Sequence, residues 1–109
     1  MNKTETEFRW NVIQPRIDAG EILECWYEVW TWRLTDKTSN GKPGIRYTAD
    51  FVVMLKTGLL EAYEVKGTGI ATTADLNRVK VAADKLPIPF FVARKQTKKN
   101  GGGFTFEQY

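Results

Sequence analysis

Residues 46–66 read RYTADFVVMLKTGLLEAYEVK, and this stretch decides the fold. Two runs rich in apolar and β-branched residues, near 46–55 and 59–66, are typical of strands. The three residues between them end in Gly58, which suits the left-handed position of a three-residue hairpin loop. The sequence therefore predicts two antiparallel strands joined by a tight hairpin.

The register of this hairpin brings two acidic side chains together. With a three-residue loop, Leu55 faces Leu59, and Asp50 faces Glu64 on one side of the hairpin. Opposed side chains have Cβ atoms ~4.5–5.5 Å apart, and alternation along the strand puts Lys66 on the same side. Two like charges on a largely apolar hairpin are destabilising, so we expect a compensating cation there.

Lys66 is one candidate for this cation, and a divalent ion is the stronger one. Two carboxylates with waters suit Mg²⁺, with Mn²⁺ as a substitute, and the backbone carbonyl of Val65 offers a further oxygen ligand. A carboxylate pair, a metal and a neighbouring lysine are typical of a site for phosphodiester hydrolysis. A structural explanation remains open: Asp50 begins a strand, and Glu64 at an edge pairs with Lys66.

Composition excludes several other kinds of chemistry. The 109 residues contain no His and one Cys, Cys25, which excludes His-based catalysis, disulfides within the chain and Cys-cluster zinc sites. Lys and Arg number 16 against 13 Asp and Glu, a net charge of +3 that is compatible with a polyanionic partner. The polar start of the chain and its short apolar runs predict no signal peptide and no membrane span, so we expect a cytoplasmic protein.

The pattern around the hairpin predicts one α/β (α+β) domain over residues 1–109 with a mixed sheet flanked by helices. The order is helix, three strands, helix, two strands, and the strands on either side of the second helix are expected to be parallel. The first helix carries Phe8, Val12 and Ala19 near one face and contains Pro15, which kinks or splits it. The predicted elements are a helix at 3–19 ending at Gly20, a strand at 22–34, a loop at 36–44, the hairpin strands, a helix at 73–86 capped by Thr72 or Thr73, a strand at 89–95, a glycine-rich turn at 96–103 and a strand at 104–108.

Three tryptophans, Trp26, Trp30 and Trp32, share one face of the predicted strand 22–34. Such a stripe can stack on nucleic-acid bases. Core beneath a helix, or a subunit interface, is the more common role. Cys25 lies on the opposite face and is expected to behave as a buried small apolar residue.

Taken in order, the motifs resemble those of the PD-(D/E)XK nuclease superfamily. The nearer resemblance is to small phage and prophage proteins of that superfamily, which are related in core to Holliday-junction resolvases. Ala49 stands where the family usually has Pro, a residue that shapes the strand and holds no metal. The segments that carry the resemblance are Asn2-Lys3-Thr4-Glu5, Ala19-Gly20-Glu21-Ile22, Tyr47-Thr48-Ala49-Asp50-Phe51, Glu64-Val65-Lys66-Gly67 and Arg78-Val79-Lys80-Val81-Ala82-Ala83.

This resemblance implies a restriction-endonuclease-like αβββαββ core and a Mg²⁺-dependent endonuclease that cuts DNA, of phage or prophage origin. It also implies that Asp50 and Glu64 bind the metal, that Lys66 is catalytic and that Glu5 adds a carboxylate. The position of Glu5 in a first helical turn has a second explanation, because acidic residues are favoured there by the helix dipole, as at Glu7. Branched or replicating DNA is one candidate substrate.

Basic residues on the second helix and near the last turn are candidate contacts for DNA phosphates. They are Arg78, Lys80, Arg94, Lys95, Lys98 and Lys99. A solvated charge explains the two helix residues equally well, and it is the more common role for the four residues near the turn. The other function classes left open are a catalytically silent module that binds nucleic acid or a protein partner, and a structural subunit that uses the tryptophan stripe as its interface. A homodimer is compatible with the sequence but not required by it, and no nucleotide cofactor is expected.

Overall fold

A computed structural model describes residues 1–69 and 73–109; the candidate cap at Thr72 lies outside them. The helices are α1 (Lys3–Phe8), α2 (Gln14–Asp18) and α3 (Thr73–Lys85), and the strands are β1 (Ile22–Tyr27), β2 (Thr31–Arg33), β3 (Arg46–Thr48), β4 (Phe51–Leu55), β5 (Leu60–Lys66), β6 (Phe90–Lys95) and β7 (Phe104–Gln108). Five of the strands form the main sheet, in the order β1-β4-β5-β6-β7, and β2 pairs with β3 in a small second sheet.

The hairpin register predicted from the sequence is confirmed. Phe51 pairs with Tyr63 and Met54 with Leu60, the alignment that a three-residue loop requires. Gly58 has a φ of 87°, and its N–H donates to the carbonyl of Leu55. The parallel pairing of β5 with β6 across α3 is also confirmed. The class is mixed α+β, with helices flanking a mixed sheet in the predicted element order.

Two predicted strands are each broken in two. The segment 22–34 divides into β1 and β2 around Glu28, whose φ of 50° is left-handed and turns the chain out of the main sheet. The segment 46–55 divides into β3 and β4 at Ala49 and Asp50. Strands β2 and β3 pair with each other, and the rings of Trp32 and Tyr47 in this small sheet pack against Phe90 of the main sheet.

The predicted helix 3–19 is one continuous helical segment that contains a π-helical turn over Arg9–Ile13. Pro15 lies just after this turn and has no N–H to donate, so the wider turn accommodates it in place of a break. Gly20 ends the segment at a φ of 78°. Ala19, predicted on the buried face, is exposed because the helix has reached its end there.

The core has a cluster on each face of the main sheet. The first helical segment covers one cluster, in which Phe8 and Ile13 are fully buried. Helix α3 covers the other with Val79 and Ala82. The predicted placement of Cys25 on the first face, opposite the tryptophans, is confirmed. The tryptophans pack against the second cluster and are partly buried, as a core role predicts: Trp26, Trp30 and Trp32. No helix in the described parts of the chain is long and apolar enough to cross a bilayer.

Candidate metal centre and flanking clefts

Three different elements bring acidic side chains to one place. Glu5 comes from the first turn of α1, Glu28 follows β1, and Asp50 precedes β4. One carboxylate oxygen from each lies within 4.8 Å of the others. Glu64 of β5 adds a fourth carboxyl group, which lies close enough for its charge to act on that of Asp50. The structure therefore brings the predicted residues Glu5, Asp50 and Glu64 together at one end of the sheet.

The surroundings of Asp50 strongly disfavour its negative charge. Burial, followed by the hydrogen bond and charge of Glu64, raises the pKa of Asp50 to about 9, while a backbone hydrogen bond opposes the shift. That bond is donated by the amide N–H of Val65 to Oδ2 of Asp50, at 2.7 Å. A positive charge near Asp50 would favour its ionised form. The local electrostatics thus favour either a proton or a cation at this carboxyl.

Glu5 is held by the end of its own helix. Its backbone N–H donates to the Asn2 side chain at 2.8 Å, and its carboxylate accepts from the Asn2 backbone N–H at 2.8 Å, which together form a capping box. The Tyr27 hydroxyl also donates to that carboxylate, at 3.1 Å. Glu5 is only 6% exposed. Its carboxylate both completes the helix cap and lies beside those of Glu28 and Asp50.

Glu64 has a comparable anchor. The Tyr47 hydroxyl donates to its Oε2 atom at 3.1 Å, and both side chains are buried. Burial and the negative charge of Glu64 raise the pKa of Tyr47 far above its ordinary value. The hydroxyl therefore stays protonated and remains a donor at any physiological pH.

Sequence reasoning missed Glu28. The alternation of residues 22–34 placed it in the middle of a strand, whereas the chain turns there. The Glu28 amide N–H donates to the Asp50 carbonyl at 3.0 Å, so the turn is fixed directly beside Asp50. No Gly, Pro or Asn marks this turn in the sequence, and a left-handed Glu is uncommon.

Lys66 does not pair with the acidic cluster. Its ammonium donates to Oδ2 of Asp75 on α3 at 3.1 Å, and its side chain is 18% exposed. Lys66 was the weaker of two candidates for compensating Asp50 and Glu64, and the structure pairs it with Asp75 instead. Val65 contributes its amide N–H to the site, and a role for its carbonyl as a metal ligand stays a prediction.

The predicted DNA contacts lie on separate surfaces. Arg78 shares a cleft of about 290 Å³ with Glu64, whereas Lys80 lines another cleft beside Asp84 and Glu107. Their roles as phosphate contacts stay predictions, but the two residues do not share one surface.

A further cleft of about 450 Å³ lies at the ends of β5 and β6, between the Gly67-Thr68-Gly69 connection and the start of the last turn. Arg94 and Lys95 line it, and Lys95 is also paired with Glu7. Lys98 and Lys99 are exposed in the short 3₁₀ turn Lys98–Asn100 that follows.

Comparisons of the chain with protein-family models, curated proteins and solved structures give no match.

Proposed function

We propose that the protein is a metal-dependent endonuclease that hydrolyses DNA phosphodiester bonds. The observation that carries the proposal is the meeting of Glu5, Asp50 and Glu64 at one end of the sheet, with carboxyl oxygens of Glu5, Glu28 and Asp50 within 4.8 Å of one another. These donors are all oxygen, the ligand type that Mg²⁺ and Mn²⁺ prefer. The resemblance to PD-(D/E)XK nucleases adds the reaction class, the DNA partner, the phage or prophage origin and a cytoplasmic location.

Glu5, Asp50 and Glu64 are the residues that would hold the ion, with Glu28 beside them. When bound, such an ion polarises a phosphate and lowers the pKa of a water. Tyr27 and Tyr47 fix the orientation of two of the carboxylates through their hydrogen bonds. Hydrogen bonds of this kind, made to metal ligands, tune metal affinity.

Lys66 supplies positive charge at the end of β5. Its anchor on Asp75 holds the ammonium on the α3 side of the site, within the same sheet face as Glu64. We propose that this charge stabilises the negative charge that develops on the phosphate during attack by water.

A cleavage assay tests the proposal. Labelled linear duplex, single strand, flap and four-way junction would each be incubated with Mg²⁺, Mn²⁺ or EDTA, with the wild-type protein beside Glu64→Ala. We expect cutting that requires the metal and is lost in the variant, because a ligand carboxylate is gone. The DNA that is cut fastest would define the substrate.

Three outcomes would contradict this proposal. Binding of DNA without cleavage under either metal would favour a catalytically silent binding module. Cleavage that survives in Glu64→Ala would show that another site or a contaminant is responsible. Absence of both binding and cleavage would favour a structural subunit.

Tyr47→Phe tests the anchor on Glu64. The change removes one hydroxyl and leaves the ring stacked near Trp32, whose centroid lies 6.3 Å away. We expect a roughly 10–100-fold loss in metal affinity or cleavage rate, the usual effect of losing a partner of a metal ligand. Titration of cleavage against Mg²⁺ concentration measures it, and a variant with wild-type metal dependence would contradict the role.

Tyr109→Phe is the matched control, because it removes a tyrosine hydroxyl at the chain terminus. Tyr109 packs at the edge of the second core cluster and lines the cleft of Lys80, which contains none of the proposed metal ligands. We expect its metal dependence to equal that of the wild type.

A further inference from the structure

A cleft opens beside Glu64, between the small sheet and helix α3. Arg46 and Thr48 of β3 form one wall, Asp75 and Arg78 of α3 form the other, and Glu64 lines it together with them. Its volume of about 290 Å³ equals that of roughly ten liquid water molecules. The cleft therefore has room for a phosphate group and part of its sugar.

Two arginines, Arg46 and Arg78, line this cleft together with two carboxylates, Glu64 and Asp75. Arg46 makes no ion pair within residues 1–69 and 73–109, and Arg78 reaches Asp75 only at 4.0 Å. The negative charge of Asp75 is already met by the ammonium of Lys66 at 3.1 Å. Arg46 and Arg78 therefore line opposite walls of the cleft, and neither has a carboxylate partner closer than 4.0 Å in the described residues.

The pairing within the small sheet supports the same conclusion independently. Arg33 lies directly opposite Arg46 in the register of β2 and β3. Like charges directly opposed across two strands are destabilising. The exposed ion pair of Arg33 with Asp36, at 4.0 Å, offsets little of this repulsion. Because both side chains are exposed, this repulsion is small, and an anion bound beside Arg46 would lower it further.

We propose that this cleft binds a phosphodiester group of DNA, on the same strand as the group that is cut and next to it. Arg46 and Arg78 would be its two contacts. The proposal rests on the proposed nuclease function, because the cleft opens directly onto Glu64. Guanidinium groups match phosphate oxygens with two parallel hydrogen bonds, which an ammonium does not provide. Arg46 would thus position the strand and take no part in bond cleavage.

The test measures DNA binding and cleavage by Arg46→Ala. Fluorescence anisotropy with a short fluorescein-labelled single strand and duplex, in EDTA and over a series of NaCl concentrations, gives Kd and its salt dependence. We expect about tenfold weaker binding and a salt slope smaller by about one, as for the loss of one phosphate contact. In Mg²⁺ the KM for DNA should rise while kcat stays near wild type, because the contact acts equally on substrate and transition state.

Lys56→Ala is the matched control, since it removes one positive charge from the hairpin loop at the other end of β4 and β5. It should leave Kd, salt slope and KM unchanged. Arg46→Lys keeps the charge and loses the paired hydrogen bonds, so we expect an intermediate loss. If thermal unfolding shows that Arg46→Ala is destabilised, the same measurements of Kd, salt slope and KM are made on Arg46→Lys and Arg78→Ala.

The outcomes separate this proposal from the nuclease proposal. If Arg46→Ala matches Lys56→Ala in binding and KM, the phosphate cleft is contradicted while the nuclease function stands. If the wild type binds DNA without cutting it and Arg46→Ala still loses affinity, the cleft is supported and the nuclease function fails. If the wild type binds no DNA even at low salt, both proposals fail.

Discussion

Replacing Asp50 with Asn is expected to reduce Mg²⁺-dependent cleavage by about 1,000-fold or more. The change keeps the shape of the side chain and an oxygen that can accept from the Val65 amide. In the wild type this amide nitrogen lies 2.7 Å from Oδ2 of Asp50. It removes the negative charge that would hold the ion between Glu5 and Glu64, and metal ions supply several kcal/mol of transition-state stabilisation. Single-turnover cleavage of the best DNA substrate, at saturating protein, measures the loss.

The same variant should be more stable than the wild type in EDTA above neutral pH. The pKa of Asp50 is raised to about 9 from an ordinary value of 3.8. Between those values the unfolded chain releases this proton while the folded protein keeps it, so the free energy of unfolding falls as the pH rises. Asp50→Asn has no such proton, and its melting temperature should fall less between pH 5 and 9, a range set by that raised pKa.

Glu24→Gln is the control for both measurements, because it removes an exposed carboxylate from β1. It should cut DNA like the wild type and show the same pH dependence of melting. Wild-type cleavage in Asp50→Asn, or an unchanged pH dependence of its stability, would contradict the role given to this carboxyl.

Phe8→Ala is expected to cause the largest loss of stability. The ring is fully buried and is the centre of an aromatic cluster, with ring centroids 5.4 Å from Phe51, 5.5 Å from Tyr63 and 5.3 Å from Phe104. Truncating a buried Phe to Ala costs about 3–5 kcal/mol, and a domain of this kind is stable by only ~5–15 kcal/mol. Urea unfolding in EDTA measures the difference.

Trp10→Ala provides the comparison from the same helical segment. Trp10 is 57% exposed, and Arg9 lies over its ring at 4.8 Å. Such an exposed contact contributes roughly 0.5–1 kcal/mol, so Trp10→Ala should be much less damaging. If the two variants lose equal stability, the first helical segment does not pack through Phe8 as described.

The hairpin and its register could be predicted because local signals agree. The loop length and Gly58 fix which residues face each other, so the meeting of Asp50 with Glu64 follows from the sequence. The crossover from β5 to β6 follows from the helical pattern between them. These features depend on neighbours in the chain and on the alternation of side chains along each strand.

The breaks at Glu28 and at Asp50 could not be predicted in the same way. Both segments keep a strand-like alternation through the break. Neither contains Gly, Pro or Asn, and Asp50 is the only residue in them that is common in turns. The break depends on contacts distant in sequence, such as the bond from the Glu28 amide to the Asp50 carbonyl. Asp75 was missed for a related reason, because only the packing of α3 brings it to Lys66.

Binding of Mn²⁺ to the purified protein, followed by isothermal titration calorimetry, tests the central claim most directly. We expect the wild type to bind Mn²⁺ with an affinity that Asp50→Asn loses and Glu24→Gln keeps, because the ion would be held by Glu5, Asp50 and Glu64. No binding by the wild type, or equal binding by Asp50→Asn, would contradict a metal site at this carboxylate cluster.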